Sequence, residues 1–173
     1  MKNYITNILL VAVITAVMLV SCQPADFKEI GSTREVAASL AGNWTLTKVT
    51  QKDEDAARKG FPYSELDLTT VFPYTEFKLT LNVNGPSPST FTAAPGNSPK
   101  ILSLTSGTWG VDNGDAPGAI IFKGAGGSTE QVTLGAYPLG GNDKLRFKIE
   151  RRDADPAANN KLLLSYTYEF SKQ

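Results

Sequence analysis

Apolar and polar residues alternate with a period of two along most of this chain, from Trp44 onward. Such a period places one set of side chains on each face of a β-strand, so each run predicts a strand that buries one face. Asn84-Gly85 and Gly124-Ala125-Gly126-Gly127 are typical turn sequences between such runs. The runs that predict strands lie near 44–48, 77–83, 89–94, 101–105, 107–112, 118–123, 129–135, 145–150 and 162–170.

About eight strands, each with one apolar face, cannot bury those faces in a single open sheet. The pattern therefore predicts an all-β fold in which antiparallel strands close into a barrel, with a β-sandwich as the alternative. Short links between consecutive runs favour a meander, in which each strand pairs with the next one along the chain. Helical segments do not alternate with the strands, so parallel crossover connections are not expected.

Two stretches depart from the period of two. Ser32-Thr33-Arg34-Glu35 fits a capping box, in which the first and last side chains bond each other's backbone amides, and predicts a short helix over about 33–40. This helix is expected to pack Val36 and Leu40 over one end of the domain. A second helical turn is expected at 54–60, inside a long connection between strands.

The first 22 residues have the organisation of a bacterial export signal. A cationic start precedes an apolar run of 13 residues, Ile8 to Val20, which is shorter than the ~20 residues that a membrane-spanning helix needs. The single cysteine, Cys22, follows Leu19-Val20-Ser21, a Leu-x-small sequence that resembles the lipobox of bacterial lipoproteins. The resemblance implies cleavage after Ser21 and a diacylglycerol on the Cys22 sulfur, and two or three acyl chains anchor a protein stably.

Three parts of the chain follow from this signal. Residues 1–21 are expected to be a lipoprotein signal peptide, residues 22–32 the lipidated Cys22 and a flexible tether, and residues 33–173 the β-barrel domain. Gln23 follows the cysteine in place of Asp, which favours the outer membrane by resemblance to the sorting rule of some enteric bacteria. The membrane is thus the first expected partner. The motif does not distinguish a domain on the periplasmic side of the outer membrane from one on its external side. An uncleaved anchor with an incidental cysteine is the alternative.

Composition removes several classes of function. The chain of 173 residues has 17 basic and 17 acidic residues, one cysteine and no histidine. Histidine-dependent nucleophiles, His-ligated zinc sites and thiolate metal clusters are therefore excluded. A formal net charge of zero gives no electrostatic footprint for nucleic acid. Since no pair of carboxylates is marked as catalytic, we predict no enzyme, no metal site and no cofactor.

Gly-x-Trp occurs twice in the chain. Leu40-Ala41-Gly42-Asn43-Trp44 opens the first strand directly after a short helix, and Gly107-Thr108-Trp109 lies in mid-chain. Together with the lipobox, this layout resembles the lipocalin-like (calycin-type) lipoproteins of Bacteroidota, which are largely families of unknown function. The resemblance implies a lipocalin-like barrel with Trp44 at one end. The last strand lacks an arginine to stack on this tryptophan, although Arg151 or Arg152 could approach it from the preceding turn.

Aromatic residues supply the candidate binding surface. Phe61-Pro62-Tyr63 and Phe72-Pro73-Tyr74 repeat one pattern eleven residues apart, in the connection where a barrel has a mouth or lid loop. Proline fixes its own φ and pre-orders the neighbouring rings, which lowers the entropic cost of binding. Trp109 lies between glycines and is expected to offer an accessible ring on which a sugar could stack. We select Tyr63, Tyr74 and Trp109 as ligand-binding candidates and Trp44 as structural; the alternative for each is packing into the domain.

Two functions from different classes fit these features. The first is an outer-membrane lipid-anchored binding protein of lipocalin-like fold, whose ligand is a small hydrophobic molecule or a glycan fragment. The second is an accessory or structural envelope protein that docks another protein through exposed aromatic residues, without a small-molecule ligand. A third possibility is an enzyme inhibitor that inserts segment 61–74 into a hydrolase.

Overall fold

Nine strands and two short helices form the part of the chain that the computed structural model describes, residues 36–136, 143–155, 157 and 159–173. The helices are α1 (Val36–Leu40) and α2 (Glu54–Arg58), and 3-10 turns cover Tyr74–Glu76 and Ala125–Gly127. The strands are β1 (Gly42–Asp53), β2 (Glu65–Asp67), β3 (Lys78–Asn84), β4 (Ser87–Ala94), β5 (Ser106–Val111), β6 (Ala119–Lys123), β7 (Thr129–Ala136), β8 (Lys144–Arg152) and β9 (Leu162–Lys172).

The strands form one antiparallel sheet that closes on itself. From β3 to β9 each strand pairs with the next, and β1 pairs with β3 on one edge and with β9 on the other. β2 is an extra strand that pairs with residues 50–52 of β1. The closure confirms the predicted antiparallel barrel of eight strands over the sandwich alternative. An all-β barrel of this kind fits a lipocalin-like fold.

Two segments differ from the sequence prediction. The stretch at 101–105 is a loop, not a strand, and its Ile101 and Leu102 side chains are both buried. Two adjacent buried side chains do not suit a strand with one buried face, in which neighbours point to opposite sides. The sequence pattern also misses β2, because Glu65–Asp67 contains a single apolar residue.

Both predicted helical segments are present in the described chain. α2 lies inside the long connection after β1, as expected. α1 covers Val36–Leu40 and buries Val36, Ala37 and Leu40. The capping-box residues 32–35 lie outside the described residues.

The barrel wall has unequal height. β1 has 12 residues, β9 has 11 and β8 has 9, whereas β6 has 5. β3 begins at Lys78 opposite Thr45, so the second half of β1 continues beyond the start of β3. We call the end where α1 precedes β1 the lower end, and the opposite end, where β1 finishes, the rim. The rim carries the connection 54–77, the loop 95–105 and the turns that follow β6 and β8.

Trp44 lies at the lower end with its side chain buried. Its indole N–H donates to the carbonyl of Leu40 over 2.9 Å, which holds α1 against the barrel. Lys172, the last residue of β9, places its Nζ 5.5 Å from the centre of the Trp44 ring, within cation–π range. The expectation that Arg151 or Arg152 approaches this ring is wrong, because β8 ends at the rim.

Polar contacts fasten α2 to β9 and to the residue that precedes this strand. Glu54 accepts a hydrogen bond from the buried hydroxyl of Ser165 in β9 over 2.6 Å, and this bond holds the pKa of Glu54 below its usual value. Asp55 accepts from Lys161, Lys59 and Arg58, which holds the pKa of its carboxyl far below the usual range. The connection from α2 to β3 therefore begins at a fixed point.

Candidate functional site

Phenylalanine side chains fill the middle of the barrel. Along the row Phe91, Phe122, Phe147, Phe170 and Phe77, neighbouring ring centres are 4.6, 6.4, 4.9 and 6.1 Å apart. Each of these side chains is at most 1% exposed. Rings at such distances pack against each other, so this part of the interior has no room for a ligand. A binding site is therefore expected nearer the rim.

Trp109 is buried, and the expectation of an accessible ring is wrong. The side chain is 4% exposed, and its indole N–H donates to the carbonyl of Asn82 over 2.7 Å. The β3–β4 ladder shifts register between Leu81 and Val83, so Asn82 lies outside the regular pairing. The indole bonds the carbonyl at this irregularity, which makes Trp109 part of the core.

Tyr74 is also buried, whereas Tyr63 is exposed. The Tyr74 ring lies 5.8 Å from that of Phe72 and 6.2 Å from that of Tyr168. Burial raises the pKa of the Tyr74 and Tyr168 hydroxyls. Tyr63 is 93% exposed. The three aromatic candidates thus do not form one site: of these three, Tyr63 alone reaches solvent. The lipidation candidate Cys22 lies outside the described residues.

A cleft opens at the rim where β7 and β8 separate. Toward the rim their ladder ends at the pair Thr133 and Lys148, although β7 reaches back to Thr129 and β8 runs on to Arg152. The space between them is a cavity of about 410 Å³, which we call the rim cleft. Its lining comprises Lys100, Ile101 and Ser103 of the loop, residues 130–133 of β7 and residues 148–151 of β8.

Main-chain groups of both strands face the rim cleft. The Leu134 amide donates to the carbonyl of Gly118 on the β6 side, so by alternation Thr133 and Gln131 direct their main-chain groups toward β8. On β8 the alternation makes Glu150 the residue opposite Gln131. The ladder does not include this pair, and its N–H and C=O groups therefore face the cleft.

The floor of the rim cleft is apolar and its edge is charged. Val132 is buried and Ile149 half-buried on the inner side. Lys148 pairs with Glu150 at 3.1 Å. Glu150 also accepts a hydrogen bond from Arg152, and this bond is the largest of the effects that lower the pKa of Glu150. Among the described residues, the other two cations of the lining, at positions 100 and 151, lie in no ion pair. The cleft thus offers two cations to an anionic group.

Glu130 holds the loop 95–105 in the mouth of the barrel. Its Oε2 accepts the backbone N–H groups of Ser103 and Leu104 over 2.7 and 3.1 Å. The loop places the buried side chains of Ile101 and Leu102 in the core. These contacts give the cleft a defined wall on the side of the loop.

A second cavity of about 300 Å³ lies on the other side of the same loop. Apolar side chains dominate its lining, among them Phe77, Pro95, Leu102 and Leu104. Asn97 donates its backbone N–H to Glu76 over 2.7 Å, which fixes the loop beside the 3-10 turn.

The sequence pattern does not reveal the rim cleft. Gln131 and Glu150 belong to runs that alternate regularly, and alternation carries no information about where two neighbouring strands separate. The one available signal is the pair of adjacent apolar residues at 101–102, which marks the loop as something other than a strand with one buried face.

No protein-family model matches this chain, and no curated protein matches it significantly. In the described part of the chain, no cluster of three or more His, Cys, Asp or Glu residues could hold a metal ion. No helix within the described residues has the length and apolarity to cross a bilayer.

Proposed function

We propose that the protein is an outer-membrane lipid-anchored binding protein of the lipocalin-like lipoprotein group, with the rim cleft as its ligand site. The observation that carries the ligand site is that the β7–β8 ladder stops at Thr133 and Lys148 while both strands continue toward the rim, which leaves a cavity of about 410 Å³ between them. The cleft is concave and mostly polar, with Ile101, Val132 and Ile149 as the apolar part of its lining, and precisely placed polar groups of this kind set the orientation of a small ligand. The β-barrel is a fold compatible with such binding.

A glycan fragment is the ligand that the lining favours. Sugar hydroxyls both donate and accept, which suits the main-chain groups of Gln131 and Glu150, and the apolar face of a sugar ring suits Ile149. The cations Lys100 and Arg151 favour a sugar that carries a carboxylate. A small hydrophobic ligand is less well supported, because phenylalanine rings occupy the middle of the barrel.

Titration calorimetry with two sugars tests this ligand. A trisaccharide of galacturonic acid is expected to bind the full chain in detergent, and a neutral trisaccharide of galactose to bind more weakly. Replacing Arg151 or Lys100 by alanine should lower the affinity for the acidic sugar about tenfold, because a hydrogen bond to a charged group contributes about 1.5–3 kcal/mol. Lys78→Ala, an exposed lysine on β3 away from the cleft, is the matched control and should not change the affinity. Two results would contradict the rim cleft as the binding site: equal affinities for the two sugars, or equal affinities of the two cleft variants and the control variant for the acidic sugar.

The anchor rests on Cys22 and the Leu-x-small sequence before it. With a bacterial host fed an alkyne fatty acid, we expect the chain to incorporate the label and to sediment with the membrane fraction. Cys22→Ser should abolish the label, since the Cys22 sulfur is the expected site of the diacylglycerol. The double variant Cys22→Ser with Ser32→Cys keeps one thiol away from the motif and should also remain unlabelled. Labelling of either variant would disprove the anchor.

One observation favours the second function, an accessory envelope protein that docks another protein. Tyr63 is almost fully exposed, together with neighbouring apolar residues of the same connection. This surface is separate from the rim cleft, so the two functions do not exclude each other.

A further inference from the structure

Exposed apolar side chains concentrate in one segment of the rim. In the described part of the chain, the large hydrophobic residues that are exposed all lie between positions 61 and 72. They are Phe61, Tyr63, Leu66, Val71 and Phe72, with exposures of 48–93%. We call them the apolar patch. A concentration of this kind is typical of a surface that contacts another molecule.

β2 runs through this segment and forms an edge of the sheet. The carbonyl of Ser64 and the amide of Leu68 both bond to β1, so Leu66 between them also directs its main-chain groups toward β1. By alternation, Glu65 and Asp67 direct their N–H and C=O groups away from the barrel. No other strand of the described chain pairs with this side of β2. The edge therefore offers two donors and two acceptors in line.

We propose that an extended segment of a partner protein adds to β2 as a further antiparallel strand. Main-chain hydrogen bonds to an exposed edge are a recurrent mode of peptide recognition, and the side chains on either face set the specificity. In an antiparallel pair, residues directly opposite each other lie on the same face. The partner segment thus places a residue opposite Glu65, the next opposite Leu66 and the third opposite Asp67.

The charges of β2 define the chemistry of that segment. Glu65 and Asp67 are exposed acids on one face, and Leu66 is exposed on the other. Opposite charges across a strand pair stabilise it and like charges destabilise it. The partner segment accordingly has the order basic, apolar, basic. Its apolar residue lies opposite Leu66.

A second copy of the chain is a poorer occupant of this edge. Antiparallel pairing of two β2 strands about a two-fold axis places Glu65 of each copy opposite Asp67 of the other, so acids face acids. A bilayer surface is also a poorer occupant, because hydrocarbon satisfies none of the outward main-chain groups. A basic extended peptide satisfies both the charges and the backbone.

Fluorescence anisotropy with three labelled pentapeptides tests the backbone and charge requirements. The probe Thr-Lys-Val-Lys-Thr is expected to bind the full chain saturably. The same peptide with a methyl group on the backbone nitrogen of each lysine lacks the two main-chain donors that face β2. It should bind about tenfold more weakly, as expected for two lost hydrogen bonds. Thr-Glu-Val-Glu-Thr should also bind at least about tenfold more weakly, because its charges repel those of β2.

Two charge reversals in the protein locate the site. Glu65→Lys should lower the affinity for the lysine probe about tenfold, because a positive charge then faces the positive charges of the peptide. Asp115→Lys makes the same change at an exposed acid in the β5–β6 turn at the lower end and should leave the affinity unaltered. Equal thermal midpoints of the two variants would show that both are folded.

Four results would overturn the proposal. They are no saturable binding of the lysine probe, equal binding of the N-methylated peptide, equal binding to the Glu65→Lys variant, and a dimer in sedimentation that Glu65→Lys strengthens. The last result would assign the edge to a second copy, since the new lysine would then face Asp67 of the partner chain.

Discussion

Phe147→Ala is expected to destabilise the folded barrel by about 4 kcal/mol, the range measured for Phe→Ala changes in protein cores. Its ring is fully buried, with ring centres 4.9 Å from Phe170 and 6.4 Å from Phe122. Removing the ring leaves a cavity in the middle of the row of phenylalanines. The strands that pair with β8 on both sides limit how far the surrounding residues can move in to fill this cavity. Since a domain of this size is stable by roughly 5–15 kcal/mol, the variant would lose a large share of its stability.

Guanidinium unfolding of the full chain measures this loss as a lower midpoint with an unchanged slope. Phe61→Ala is the matched control, because the Phe61 side chain is 58% exposed. The control should change stability by less than about 0.5 kcal/mol, as surface substitutions usually do. A loss below about 1 kcal/mol at Phe147 would show that the interior can rearrange, and the argument against a ligand in the middle of the barrel would fail.

Gly107→Ala is expected to cost about 4 kcal/mol, because it combines backbone strain with a steric overlap of main-chain atoms. Gly107 has a φ of +150°, and a Cβ there would lie 2.0 Å from the carbonyl oxygen of Lys123 in β6. A main-chain carbonyl in a paired strand cannot move aside as a flexible side chain does. The substitution should therefore push β5 away from β6 or prevent the barrel from closing.

Gly110→Ala provides the control within the same strand. A Cβ at Gly110 meets no atom within 4 Å, and its φ lies outside the strained range. This variant should be unchanged or more stable by up to about 1 kcal/mol, because alanine restricts the unfolded chain. Thermal unfolding of the two variants should separate them clearly. Equal midpoints would show that β5 tolerates the displacement and that the close approach to Lys123 is not needed for closure.

Gly107 precedes Trp109 by two positions, and Gly110 follows it directly. Their absent side chains suggest an accessible indole, whereas the structure buries the ring. Gly107 permits the close approach of β5 to β6, and Trp109 points into the core. A Gly-x-Trp sequence marks an unusual backbone position, but it does not state which side of the barrel the ring occupies.

The candidate site was less predictable than the fold. Tyr63 has the exposure that the aromatic-Pro-Tyr pattern suggests, whereas Tyr74, at the same place in the second copy of that pattern, is buried against Tyr168. Local sequence is similar at the two positions, so the difference comes from residues far away in the chain. The cation over Trp44 also depends on residues distant in the sequence, since Lys172 reaches the ring because β9 pairs with β1.

The period of two was enough to establish strands with one buried face, and hence an all-β domain that must close or pair its sheets. That information is local, because neighbouring residues of a strand point to opposite sides. The closure of β1 on β9, the separation of β7 from β8 and the outward edge of β2 depend on strand lengths and registers set against each other in space. Those relations join residues distant in the chain, so both proposed binding surfaces became visible only in the folded barrel.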